Sequence, residues 1–352
     1  QGDDSMRVTL SRAALTDTIK LCAPIATRNR NILPVFSAAH LHADGDTLAV
    51  TTSDGDLTVT THASCQPGDD GTVLAPAALL TQIVGSLDDP TVQLHTDDDG
   101  WLHIASGTAK FQVRCYQDQY PTVTHAAGTP TDITQDTVGK LGRILYAAAN
   151  DETRPVLCGV GIGGGWAACT DSYRLAAVQL DGLPDSIMPA RALTFVCKHS
   201  VGPVALSVDD RHATFRWGGT VVTTRLIQGT YPNYQQLIVE PTHHLVVDRA
   251  ALASAIGRAA VMVGNNEPVR VQRSDTGVML TVRAQDVGES CVEVPGTFDM
   301  DGVIAFNSKF LLDVVSAGDG DTIDIGMVDT SRPAVVRGDG TVGLVMPVRC
   351  AP

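Results

Sequence analysis

The sequence predicts an α+β fold of three repeated units, each with two helices and antiparallel sheets. Three observations predict it. Helical periodicity recurs three times at similar spacing, a Pro-Val pair follows each recurrence, and most of the remainder is short alternating segments closed by Asp/Gly turns.

The opening helices are expected over 11–24, 136–149 and 248–263, with Ser11, Asp136 and Asp248 as N-caps. After each comes a short turn and an apolar strand starting at Pro34-Val35, Pro155-Val156 and Pro268-Val269, the prolines lying 121 and 113 residues apart. Second helices follow short apolar strands over 73–80, 187–193 and 303–312. Pro76, Pro189 and Phe306 are equivalent there, 113 and 117 residues apart. Alternating strands such as Val92-Gln93-Leu94-His95 complete each copy, broken by turns at Asp97-Asp98-Asp99-Gly100, Asp209-Asp210-Arg211 and Arg337-Gly338-Asp339-Gly340. Copies one and two close alike, on Tyr120-Pro121-Thr122 and Tyr231-Pro232-Asn233. The expected domains are 1–129, 130–242 and 243–352. Gln1-Gly2-Asp3-Asp4-Ser5 reads as a remnant ahead of a native start at Met6. Three such units placed end to end suit an arc whose free strand edges pair with a second copy.

With 43% apolar and 18% charged residues, the composition is that of a folded chain. No stretch reaches the ~18 consecutive apolar residues of a membrane helix, so a soluble, cytoplasmic protein is expected. The 8 cysteines show no CxxC spacing and read as reduced core thiols. The net charge of −14 by itself argues against nucleic acid, but the charge is segregated. The six helical windows hold nine basic and four acidic residues, against 16 and 35 in the rest. Helices sharing one face would make that face positive on an acidic body, able to hold a phosphate backbone without reading sequence.

Motifs that would signal catalysis do not survive their context. Gly159-Val160-Gly161-Ile162-Gly163-Gly164 matches GxGxxG by letter, but strand-like Trp166-Ala167-Ala168-Cys169 follows where a dinucleotide site needs a helix. Arg337-Gly338-Asp339 reads as a hairpin tip. Asp97 to Asp99 lacks EF-hand spacing. His40 with His42, and His243 with His244, lack a third ligand at metal spacing and read as structural. No enzyme, metal or cofactor is expected.

The stretch Thr170-Asp171-Ser172-Tyr173-Arg174-Leu175 reads as a polar bend between two strands, with the last strand, around Leu344-Val345-Met346, as its partner. With it, four stretches resemble the bacterial DNA polymerase III beta sliding clamp family. Leu33-Pro34-Val35 with Asp44-Gly45-Asp46-Thr47-Leu48 and Thr51-Thr52-Ser53-Asp54 resembles the first-domain signature. Thr170 to Ala176 resembles the central motif, Thr224 to Tyr234 the end of the second domain, and Val345-Met346-Pro347-Val348-Arg349 the C-terminal VMPxR.

The resemblance implies three clamp domains per chain and a head-to-tail homodimeric ring threaded by double-stranded DNA. It implies partners that dock short peptides: the DNA polymerase III alpha subunit, the clamp loader and other proteins with clamp-binding motifs. It implies a peptide pocket lined by Leu157, Thr170, Ser172, Tyr173, Arg174, Leu175, Pro232, Gln236, Leu237, Pro333, Leu344, Met346, Pro347, Val348 and Arg349. In it, Leu157, Leu175, Leu237 and Met346 would form the apolar floor, with Arg174 and Arg349 framing it. Arg30, Arg154 and Arg191 align with DNA-facing positions, and Phe111, Val261 and Met262 with the ring interface. Gln236, Ser172-Tyr173 and the Cys350-Ala351-Pro352 ending depart from the family pattern. The departures suit an accessory copy with an altered pocket, inhibitor-resistant or carried on a mobile element. A peptide-binding repeat scaffold that does not encircle DNA is the alternative from another class.

Overall fold

Helix ends are set by short polar side chains that take the orphan amides of the first turn. The computed structural model describes residues 6–26, 33–261, 268–284 and 288–349. Among these are six α-helices: α1 (Arg12–Cys22), α2 (Ala77–Ser86), α3 (Gln135–Ile144), α4 (Ala190–His199), α5 (Arg249–Ala260) and α6 (Ser308–Ala317). Ser11 accepts from the Ala14 amide, Asp248 from Ala251 and Asn307 from Phe310. Asp136 does not cap. Helix α3 starts one residue earlier, so Asp136 lies inside the first turn, where its carboxylate faces the positive helix end and pairs with Lys140 at 2.9 Å. Each helix buries one stripe: Leu15, Thr18, Ile19 and Cys22 of α1 recur at the spacing of one face.

Two expectations shift by local chemistry. Pro34-Val35 and Pro155-Val156 open single 3-10 turns, Pro34–Ser37 and Pro155–Cys158, rather than strands. Proline's fixed φ suits the first turn, and the strands Ala38–Asp44 and Gly159–Gly163 start after it. The third copy follows the expectation, with strand Pro268–Arg273. The residue equivalent to Pro76 and Pro189 is Asn307, not Phe306. Pro76, Pro189 and Asn307 each end a strand and pair with the first residue of another: Ala38, Gly159 and Pro268.

The chain forms two compact units. The first joins the residues up to Gln135 with Lys198–Leu226. It holds a five-stranded antiparallel sheet ending at edge strands Gln66–Asp69 and Ala109–Arg114, and an eight-stranded one. In the larger sheet, Leu57–Ser64 pairs with Thr220–Arg225, Leu57 opposite Thr224. The second joins Asp136–Cys197 with the residues from Ile227 onward and holds a twelve-stranded sheet. There, Arg174–Gln179 pairs with Thr341–Val345, Arg174 opposite Val345. In each unit one continuous sheet is therefore built from strands of two successive repeats.

Glycine 164 and glycine 165, at φ 60° and 77°, make the two-residue turn between strands Gly159–Gly163 and Trp166–Thr170, the geometry a tight hairpin demands. The GxGxxG stretch is thus a hairpin. Arg337 lies inside strand Ala334–Gly338, one residue before its end, and pairs with Glu240 at 2.9 Å, and Asp339-Gly340 forms the turn. Gly139 is exposed on α3, and a methyl there would meet no atom within 4 Å. Gly139→Ala is expected to stabilise the fold by about 0.5–1 kcal/mol through helix propensity, read from urea unfolding. No described helix is long and apolar enough to cross a membrane.

Candidate functional site

The bend after strand Trp166–Thr170 is built by one carboxylate. Asp171 Oδ1 accepts from the amides of Tyr173 (2.9 Å) and Arg174 (3.0 Å), and Asp171 Oδ2 accepts from Arg174 Nε at 2.9 Å. Thr170 Oγ1 donates to the Arg174 carbonyl at 2.8 Å. This turns the chain in four residues and sends strand Arg174–Gln179 back along its neighbour.

Arg174 is buried, with 7% of its side chain exposed. It is held by Asp171 and by Asp313 of α6, and its guanidinium lies over the Phe310 ring at 4.5 Å and the Tyr146 ring at 5.5 Å. Lys309 shares Asp313 at 2.9 Å. Burial pushes the Tyr146 hydroxyl up, with the Arg174 charge working against it, so the phenol stays neutral.

The C-terminal segment runs beside the bend. Leu344 lies opposite Leu175, and the Met346 amide donates to the Tyr173 carbonyl at 2.8 Å. Leu175 and Leu344 join Ala168, Ala177 and Val335 in a buried cluster, with Tyr231, Tyr234 and Ile238 packed against it. Tyr231 lies on Gly161, where no side chain intervenes, and its hydroxyl donates to the Gly159 carbonyl at 3.5 Å. Burial raises the hydroxyls of Tyr231 and Tyr234.

Around this centre the candidate pocket residues divide by exposure. Thr170, Arg174, Leu175 and Leu344 are buried; Leu157, Pro333, Met346, Pro347 and Val348 are half-buried; Ser172, Pro232, Gln236 and Arg349 are exposed. Tyr173 and Leu237 are the large apolar side chains left open, at 60% and 46% exposure. Tyr173 stacks on Phe310 at 6.2 Å. Pro347 bridges to Phe306, and the Val348 amide donates to the Ala305 carbonyl at 2.8 Å, which ties the chain end down. The surface offers aliphatic and aromatic faces with few polar fixings, suited to anchoring apolar side chains of an extended ligand.

Of the remaining candidates, Arg154 stands beside the bend: it pairs with Asp151 at 3.3 Å and donates to Ser172 Oγ at 3.0 Å. Arg191 is exposed on the first turn of α4. Phe111 is half-buried on edge strand Ala109–Arg114, and Val261, just past α5, is 80% exposed. Arg30 and Met262 lie outside the described residues. His40 stacks on Tyr120 at 5.2 Å, while His243 and His244 face Asp299 and Asp324. No group of three ligands able to hold a metal occurs among the described residues. Sequence reasoning missed Asp313, Phe310 and Tyr146, which hold Arg174. Asp313 and Lys309 read locally as an i,i+4 surface pair, with nothing to signal a partner 139 residues away.

The three domain models of the DNA polymerase III beta subunit match in order: N-terminal over 6–124, central over 132–233 and C-terminal over 237–349. The chain belongs to the DNA polymerase III beta subunit family. It is 27% identical to the beta sliding clamp of Caulobacter vibrioides over 98% of this chain and 100% of that one. It is 29% identical to that of Synechococcus elongatus, over 90% and 92%. Among solved structures, a Caulobacter crescentus beta sliding clamp superposes with a TM-score of 0.91 at 26% identity, covering 99% of this chain and 100% of that one. A Bartonella birtlesii sliding clamp bound to griselimycin gives 0.88 at 25%, covering 98% and 100%.

As a beta subunit, this chain carries Ser172-Tyr173 where the family motif usually reads Gly-His. Ser172 has φ 79°, the one positive φ outside glycine among the described residues. A left-handed backbone costs a residue with a Cβ roughly 1–2 kcal/mol, which explains the usual glycine. The hydrogen bond from Arg154 offsets part of that cost.

Proposed function

We propose that two copies of the chain close head to tail into a ring around double-stranded DNA. The ring catalyses no reaction and works in the cytoplasm. It tethers the DNA polymerase III alpha subunit, the clamp loader and other proteins that dock a short linear peptide against the Tyr173–Met346 groove. The observation that carries this reading is the match of all three beta-subunit domains, in order, along nearly the whole chain. The domain borders we propose fall near residues 129 and 242. Edge strand Ala109–Arg114, with Phe111, and the region of Val261 supply the two ends of the ring contact.

A sliding ring must hold DNA without gripping it, and the helix charges suit that. The described helices carry nine basic and three acidic residues, Asp248 being a cap outside α5. Lys140, Arg143 and Lys309 are neutralised by Asp136, Asp319 and Asp313, whereas Lys20, Lys198 and Arg258 have no carboxylate partner among the described residues. A few cations give weak, salt-sensitive, sequence-independent attraction.

Light scattering should give twice the 37.0 kDa chain mass. After loading, the protein should stay on nicked circular DNA and run off the same DNA once linearised. Equal retention on both would sink the ring and leave the non-encircling scaffold. In the groove, Tyr173→Ala and Met346→Ala should each weaken a fluorescent polymerase-tail peptide by about 2 kcal/mol, roughly 30-fold, without lowering the melting temperature. Unchanged affinity in both would place peptide docking elsewhere.

A further inference from the structure

The first unit contains a cavity of about 170 Å³ between the strands Leu57–Ser64 and Thr220–Arg225 and the segment 120–124. Its frame repeats the backbone hydrogen-bond pattern and strand register of the Tyr173–Met346 groove. Asp54 Oδ1 accepts from the amides of Asp56 (3.1 Å) and Leu57 (3.0 Å), as Asp171 does from Tyr173 and Arg174. Gly55, at φ 101°, stands where Ser172 stands. Thr58 lies opposite Thr223 as Leu175 lies opposite Leu344. The Arg225 amide donates to the Asp56 carbonyl at 2.9 Å, as the Met346 amide does to Tyr173. Phe36 occupies the Leu157 place on its 3-10 turn, and Tyr120-Pro121 matches Tyr231-Pro232. His212 matches Pro333, since Ala213 faces Thr224 as Ala334 faces Val345.

The backbone is retained and the chemistry of the floor is inverted. Leu175, Leu344 and Met346 become Thr58, Thr223 and Arg225, while the wall of Leu157 and Tyr231 becomes the fully aromatic one of Phe36 and Tyr120. At the mouth, Asp56 and Arg225 sit 3.9 Å apart with their side chains 65% and 68% exposed. So loose and wet an ion pair contributes little by itself, which leaves both groups open to a ligand.

We propose that this cavity is a second docking site, which takes an extended peptide through a carboxamide side chain, glutamine or asparagine, rather than through aliphatic anchors. The inference rests on the reading that the Tyr173–Met346 groove docks peptides. A carboxamide has both functions the mouth asks for: its NH2 donates to Asp56 and its carbonyl accepts from Arg225. A carboxylate would face Asp56, and an ammonium group would face Arg225. An aliphatic chain would strip water from both charges and return no hydrogen bond. The space equals roughly five or six waters at about 30 Å³ each, enough for the five heavy atoms of a glutamine side chain lying flat on the aromatic wall.

The test is a phage-displayed library of random decapeptides, panned on the full-length protein and counter-selected on Arg225→Ala and Asp56→Ala. Both substitutions alter exposed side chains, and thermal unfolding is recorded beside each binding measurement. The expected result is a peptide class enriched in glutamine or asparagine. Its affinity falls at least tenfold in Arg225→Ala and in Asp56→Ala and is unchanged in Met346→Ala. The proposal is overturned if no peptide is sensitive to both substitutions, or if those that are carry leucine, glutamate or lysine at the enriched position. Leucine-anchored peptides that ignore both Met346→Ala and Tyr173→Ala would count against the first groove, a separate failure.

Discussion

Arg174→Ala is expected to lower the stability of the second unit by about 3 kcal/mol or more and to abolish peptide docking. The side chain lies 7% exposed between Asp171 and Asp313, whose own side chains are 13% and 26% exposed. Removing it leaves two partly buried carboxylates without their shared cation, and breaking a buried pair from one side costs about 3–5 kcal/mol. It also strips Phe310 and Tyr146 of the guanidinium lying over them. Lysine should not rescue it, because a single ammonium cannot span two carboxylates as the planar fork does. Urea unfolding of the wild type, Arg174→Ala, Asp313→Ala and the double variant would measure the coupling directly. A loss under 1 kcal/mol, or additive single effects, would show that the pair does not hold the bend.

Gly161→Ala should damage the opposite wall of the groove. An added Cβ would stand less than 3.0 Å from Cγ, Cδ1 and Cδ2 of Tyr231. Those are rigid ring atoms, and the ring is pinned by its hydroxyl on the Gly159 carbonyl and by the cluster around Leu175. Overpacking of this kind costs about 1–3 kcal/mol. The ring must move outward, taking Pro232 with it, so peptide affinity should fall at least tenfold even where the protein stays folded. Anisotropy titration at a temperature well below the melting point separates the two effects. Unaltered affinity would mean that the Tyr231-Pro232 segment is no part of the docking surface.

The repeat was legible in the sequence because it rests on local signals. Helical periodicity, Ser11 and Asp248 before their helices, and Asp/Gly turns each act within a few residues. What escaped was decided at a distance or by one-residue register. Asp136 reads as a cap, yet α3 starts a residue earlier. Phe306 falls one place short of Asn307, the residue that caps α6. The alternation around Leu175 and Leu344 marks strands without telling a groove floor from a core. The structure leaves those two 2% and 3% exposed while Leu237, grouped with Leu175 in the expected floor, is 46% exposed. Arg174 was legible as a candidate for the proposed site, but not as an internal cation. Its second carboxylate comes from α6, and composition gives no hint of that pairing.

The ladders that zip Leu57–Ser64 to Thr220–Arg225 and Arg174–Gln179 to Thr341–Val345 disregard the seams of the threefold repeat. Sequence repeat and sheet continuity therefore have different grain in this chain. The three repeats are not the two compact units, and the middle repeat lends strands to the sheet of each neighbour. A fragment cut at the seams would carry raw strand edges on the flanks that its neighbours normally cover, which makes it prone to stick to its own kind.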